Sequence, residues 1–157
     1  MGEQNFDKQP YYLTIRIIRH PLDSLYSFYL WNQQYQKEAA ENFIPKDLLE
    51  EYVYSWKEFQ MYWDAQKNVI TIRYEDFYKE PAKHLRIILE AIGYKTTTAD
   101  IKRAVQKYPP TGGFLKYLNH FTKEDKAFIE TELAELMSTY DYEMTTILWD
   151  SCNLFIN

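Results

Sequence analysis

Cysteine is almost absent: Cys152 is the only one in 157 residues. One thiol cannot form an internal disulfide, which favours a reducing compartment and points to the cytoplasm. Glycine and proline are scarce as well, at 4 and 6 residues, and leave little material for long flexible linkers. Basic charge is in deficit, with 18 Lys and Arg against 23 Asp and Glu and a formal net charge of −5. A protein that neutralises a long phosphate backbone shows a basic surplus or stripe, so no nucleic-acid partner is expected. A small anion remains admissible, because one or two arginines can serve it locally. The opening stretch MGEQNFDKQP lacks the apolar core of a signal peptide. No apolar run approaches the roughly 18 residues needed to span a bilayer, so no membrane segment is expected in this chain. His20, His84 and His120 are scattered, and with one distant cysteine they offer no metal-ligand spacing.

What the chain does have is aromatic and apolar weight. It carries 15 Tyr, 9 Phe and 4 Trp, and 46% of its residues are hydrophobic, which argues against disorder. Its length suits one domain with a real core. Residues 1–143 read as that domain, and 144–157 as an apolar tail without clear periodicity.

Tyr12 to Ile18, YLTIRII, is short and β-rich, as in a buried strand. Pro21 then suits a first helical turn and Asp23 its electrostatics, so a helix is expected from Pro21 to about Lys37. A second helix starts at Pro45, because Leu48, Leu49, Tyr52, Val53, Trp56, Phe59 and Trp63 recur at three- and four-residue steps. Val69 to Tyr74 reads as a second buried strand. Pro81 opens a third helix carrying Leu85, Ile88, Leu89 and Ile92, with Gly93 as its stop. A shorter helix begins at Thr98 or Asp100, runs to about Lys107 and is broken by YPPTGG. Thr122 and Asp125 form the pattern of a capping box before a last helix that carries Phe128, Ile129, Leu133, Leu136 and Met137. Strands joined by long helical crossovers predict an α/β domain with a parallel sheet. Two strands do not make a stable sheet alone, which predicts pairing with a missing N-terminal part or with another chain.

Arg19 stands at the end of the first strand and just before a helix. Ligands of open parallel sheets sit beyond the carboxyl ends of strands. Free backbone N–H groups and the helix dipole there favour an anion. Arginine adds a planar fork that matches phosphate in two hydrogen bonds. Ser27 follows on the face of Asp23 and Ser24, where its hydroxyl can reach the same anion. The ordinary alternative is a surface ion pair and an incidental helical serine.

IIRHPLDSLYSFYLW resembles the 3′-phosphate-binding segment of sulfotransferases that use 3′-phosphoadenosine 5′-phosphosulfate, PAPS. That family's Arg, following Asp, and Ser eight residues after the Arg match Arg19, Asp23 and Ser27 in register. NVITIRYEDFYKEPAKHLRIILEAIG is similar to the next family block, GGFLKYLNHFTKED to the block near the C-terminus, and YDYE to the closing stretch. The resemblance implies the P-loop-like sulfotransferase fold, incomplete at the N-terminus, and PAPS as sulfuryl donor. It implies that Arg19 and Ser27 bind the cofactor's 3′-phosphate, that Tyr74 lies against adenine, and that the Gly112 N–H adds a phosphate donor. It also implies a small-molecule or glycan acceptor bearing a hydroxyl or amine.

The sequence departs from the family as well. The Lys-Ser-Gly-Thr-Thr-like 5′-phosphosulfate loop and the upstream catalytic histidine have no counterpart, so the catalytic group is unknown and the chain is expected to be truncated and weak or inactive alone. Pro110 and Thr111 stand where the family has a basic pair. The adenine-supporting Ser-Phe stretch is deleted before Gly112, and Phe114 is its only substitute candidate. The alternative reading is a non-catalytic nucleotide-binding or interaction module derived from a sulfotransferase. Glu75 and Asp76 are read as helix and turn caps, His20 as a solvent-facing residue at the helix start, and His120 as a capping or packing group. The aromatics from Tyr26 to Trp31 and Tyr52 to Trp63 are read as core in preference to an acceptor pocket.

Overall fold

A computed structural model describes residues 13–36, 41–113 and 116–143. The elements run in chain order β1 (Thr14–Ile18), α1 (Pro21–Gln36), α2 (Lys46–Asp64), β2 (Val69–Arg73), α3 (Tyr74–Lys79), α4 (Pro81–Ala91), α5 (Thr98–Lys107), a 3₁₀ turn (Leu118–His120) and α6 (Lys123–Thr139). The chain divides into two compact units. The strand unit comprises Met1–Ile18 and Trp63–Gly112, and the helical unit comprises Arg19–Tyr62 and Gly113–Asn157. Tyr12, Lys37, Phe114 and the apolar stretch 144–157 lie outside the described residues.

In the strand unit, β1 and β2 pair in parallel with Thr14 opposite Val69 and Ile18 opposite Arg73. This is the parallel α/β arrangement that the crossovers predict. Arg16, buried in mid-strand, reaches across the pair: its Nε donates to Thr71 Oγ1 at 3.1 Å and its Nη2 to Asp64 Oδ1 at 2.7 Å. Asp64 is the last residue of α2, so a cation answers the negative end of that helix. The helix α4 starts on Pro81 as expected and ends in a Schellman motif. The Tyr94 N–H bonds Leu89 O at 2.8 Å and the Gly93 N–H bonds Glu90 O at 3.0 Å. Gly93 has φ +72°, a conformation that side chains with a Cβ rarely adopt. Thr97 caps α5 by accepting from the Asp100 N–H at 3.2 Å.

One element was not expected. Residues 74–79 form α3, a helix of six residues directly after β2. Tyr-Glu-Asp-Phe-Tyr-Lys carries no helical stripe long enough to stand out. Glu75 and Asp76 occupy its first turn, where carboxylates oppose the helix dipole favourably, and Glu75 is buried. The backbone carbonyl of Asp76 also takes the Glu80 N–H at 2.9 Å and closes the turn into α4.

In the helical unit, Leu22, Leu25, Tyr26 and Tyr29 of α1, Leu49, Tyr52 and Val53 of α2, and Ile129, Leu133, Leu136 and Met137 of α6 are all buried. Each set follows the three- and four-residue spacing of its helix. The α6 capping box is present: the Asp125 N–H bonds Thr122 Oγ1 at 3.1 Å and the Thr122 N–H bonds Asp125 Oδ2 at 2.9 Å. Tyr26 is ringed by Tyr29, Tyr117, His120 and Phe121. Burial, then the neighbouring Tyr29 and Tyr117, push its phenol above the usual tyrosine value. It stays neutral and donates to Glu41 O at 3.0 Å.

The aromatic expectation splits. Tyr26, Tyr29 and Tyr52 are core, but Phe28, Trp31, Tyr54, Phe59 and Tyr62 are exposed. Along α1 the exposed rings stack, Phe28 on Trp31 at 6.0 Å and Trp31 on Tyr35 at 5.7 Å.

Candidate functional site

The β1 strand ends at Ile18 and α1 begins at Pro21, so Arg19 lies in the two-residue link between them. Its side chain is one-quarter exposed and is held by Asp23, whose side chain has 0% exposure. Arg19 Nη2 donates to Asp23 Oδ2 at 3.0 Å and approaches Gly113 O at 3.5 Å. The other carboxylate oxygen, Asp23 Oδ1, accepts the Tyr117 N–H at 3.2 Å. Arg19 reaches forward from the link to Asp23 in the first turn of α1, and a helical advance of four residues brings Ser27 one turn beyond Asp23 with only a modest rotation. Ser27 is half-buried, and its hydroxyl has no hydrogen-bond partner among the described residues. The Ser24 hydroxyl, by contrast, is spent on Arg19 O at 3.2 Å.

The helix N-terminus itself is less open than the sequence suggests. Pro21 has no N–H, and the Leu22 N–H is taken by His20 Nδ1 at 3.3 Å. An anion here would be met chiefly by side chains. The same contact corrects the reading of His20 as solvent-facing. The residue is 1% exposed, its Nε2 bonds Glu143 O at 3.3 Å, and its ring meets Tyr142 edge-on at 5.3 Å. With Nδ1 accepting, Nε2 carries the proton, and the imidazole acts as an N-cap. Position in the sequence reports where a helix starts but not what packs over that start. His120 packs as expected: it stacks on Tyr26 at 4.1 Å, and its Nδ1 donates to Asn42 O at 2.8 Å.

The other two candidates belong to the strand unit. Tyr74 opens α3, and its hydroxyl donates to Thr111 O at 2.7 Å. That bond joins positions 37 apart and ties down the loop that carries Gly112. Gly112 is exposed with φ +105°, so the peptide takes a course closed to most other residues. Among the described residues no cluster of His, Cys, Asp and Glu is arranged to hold a metal ion. No described helix is long and apolar enough to cross a membrane.

Comparison with known proteins agrees with the fold and the motifs. No curated protein matches the sequence at a significant level. Among solved structures, the mouse sulfotransferase SULT7A1 in complex with PAP matches with a TM-score of 0.54 and 20% sequence identity. The match covers 83% of this chain and 60% of that one, so it spans less than two thirds of that relative's length. At this identity the likeness speaks for the fold. The sulfotransferase domain pattern matches residues 9–132 and so takes in β1, the Arg19–Ser27 segment, β2 and most of α6. The chain belongs to the sulfotransferase domain family.

Proposed function

We propose that this chain is the 3′-phosphate-binding part of a PAPS-dependent sulfotransferase, whose domain runs through residue 143. The observation that carries the reading is the Arg19–Asp23–Ser27 ladder, standing at a strand-to-helix junction inside the matched family domain. PAPS supplies the sulfuryl group for in-line transfer to a hydroxyl or amine. Arg19 offers a planar, partly exposed cation for the 3′-phosphate, and Ser27 an uncommitted hydroxyl. From the strand unit we assign Tyr74 to the adenine side and the Gly112 N–H to a phosphate, both on the family resemblance. The acceptor is a small molecule or a glycan. The single cysteine supports a cytoplasmic location.

Further strands, from an N-terminal part or another chain, are proposed to extend the sheet. The support is that β1 and β2 are the only described strands and that Ile17 in β1 is 53% exposed. A second reading keeps the nucleotide site without turnover. It asks only for the Arg19–Asp23–Ser27 ladder and a bound nucleotide.

Calorimetric titration with adenosine 3′,5′-bisphosphate tests the shared core of both readings. A charge-assisted phosphate contact is worth roughly 1.5–3 kcal/mol, so Arg19→Ala should bind at least about tenfold more weakly. Equal binding by the wild type and Arg19→Ala, or none by a folded wild-type chain, would remove the reading. Sulfuryl transfer from labelled PAPS to a phenol or sugar panel then separates the enzyme from the module.

A further inference from the structure

We infer that Asp23 is a positioning residue, which sets the Arg19 guanidinium in the orientation that receives the 3′-phosphate and locks the 116–120 turn to the same carboxylate. The inference rests on the nucleotide reading above. Its two oxygens have separate duties. Oδ2 holds Arg19 Nη2 at 3.0 Å, and Oδ1 holds the Tyr117 N–H at 3.2 Å. The Asp23 side chain has no exposure to water, while the Arg19 side chain it grips is one-quarter exposed. A fully buried anion is tolerated only when charge-assisted hydrogen bonds satisfy it, and these two contacts are of that kind. The buried group is therefore the anchor and the exposed group the one that is aimed.

Two effects of Asp23 on an incoming phosphate oppose each other. Its negative charge repels the anion, so removing the charge would tighten binding. Its grip removes rotamer freedom from a long side chain, a cost that the ligand would otherwise meet on binding. The arrangement favours the second effect. The carboxylate is already neutralised by Arg19 at contact distance, so the approaching phosphate meets a paired charge. Orientation of the fork, in contrast, decides whether two hydrogen bonds form or one. The Tyr117 contact adds a link: the turn that leads into Leu118–His120 is fixed by the same group that fixes Arg19. Movement of that turn would be felt at the phosphate through one carboxylate.

The test is a double-mutant cycle read by titration with adenosine 3′,5′-bisphosphate. Asp23→Asn keeps an oxygen for the Tyr117 N–H and removes the charged grip on Arg19. It should weaken binding about tenfold in the wild-type background. In an Arg19→Lys background, where a single ammonium has no fork to aim, the same change should cost no more than about twofold. Unchanged or tighter binding by Asp23→Asn would overturn the inference, because repulsion would then outweigh positioning. An equal loss in both backgrounds would overturn it too, since that is what a general structural role produces. Failure of the folded wild-type chain to bind at all would remove the nucleotide reading and this inference with it. Should Asp23→Asn not fold, the Arg19 side-chain resonances of the nucleotide-free wild type carry the test. Slowed guanidinium rotation is expected, and free rotation would sink the proposal.

Discussion

In the helical unit Leu22, Val53, Ile129 and Leu133 are wholly buried, whereas the strand unit buries only Ile18, Ile72 and Ile101 among its described apolar side chains. The strand unit buries the polar Arg16 and Glu75, and the helical unit His20, Asp23, Gln33 and Gln60. Its α4 has no buried residue, although Leu85, Ile88, Leu89 and Ile92 form a helical stripe. The difference follows from what each unit is made of. Three amphipathic helices can turn their stripes toward one another and close a core. Parallel strands need cover on both faces, and the two described strands provide little sheet for helices to cover. The helical unit thus adds a substantial apolar core to its buried polar groups, whereas the strand unit, with few buried apolar side chains, depends more heavily on its polar links and well-formed helix ends.

Cutting the same side chain back in each unit is the sharpest way to break that contrast. Leu133→Ala should cost about 3 kcal/mol, as expected for a buried leucine that leaves a cavity. Leu89→Ala, at a partly exposed position, should cost about 1 kcal/mol. Denaturant unfolding measures both, and equal losses would mean that α4 is packed as tightly as α6. The next largest effect tests the polar links. Asp64→Ala leaves Arg16 buried without its carboxylate and should cost about 2 kcal/mol, less than a fully buried pair because Asp64 is about one-third exposed. Unfolding at raised salt should leave most of that difference in place, since Arg16 is shielded from solvent.

Much of this plan can be read from the chain, and the rest shows where reading stops. β1 and β2 announce themselves through β-branched runs, and α2, α4 and α6 through apolar spacing sustained over several turns. Pro81, Gly93 and the Thr122–Asp125 pair mark ends because each meets a specific backbone need. Arg19 and Ser27 stand out by register, at positions where a phosphate contact makes physical sense. The α3 helix was not readable, because six residues are too few for a period. Neither was the Tyr74–Thr111 bond nor the burial of His20, since both depend on residues far away in the chain. The exposed stack of Phe28, Trp31 and Tyr35 belongs to the same class. Composition cannot tell a core ring from a surface ring on one helix.

Helix ends give smaller effects, and they probe whether capping matters more in the unit with the thinner core. Thr122→Ala removes the reciprocal cap of α6 and should cost about 1 kcal/mol by chemical denaturation. The corresponding group in the strand unit is titratable. Asp100 in the first turn of α5 accepts from the Thr97 hydroxyl at 2.6 Å, and that bond, followed by backbone hydrogen bonding to Thr97, holds its carboxyl below the usual aspartate value. A carboxyl with a lowered folded pKa stabilises the fold above its unfolded value, and the contribution fades as the pH falls through the folded one. The stability advantage of the wild type over Asp100→Asn should therefore be present near neutrality and shrink in acid, below the ordinary aspartate range. The group is exposed, so the advantage is small and visible only as a converging pair of unfolding curves. A constant offset across the whole acid range would show that Asp100 supports α5 through its shape and hydrogen bonds alone. Charge at the helix end would then drop out of the account of how the strand unit holds together.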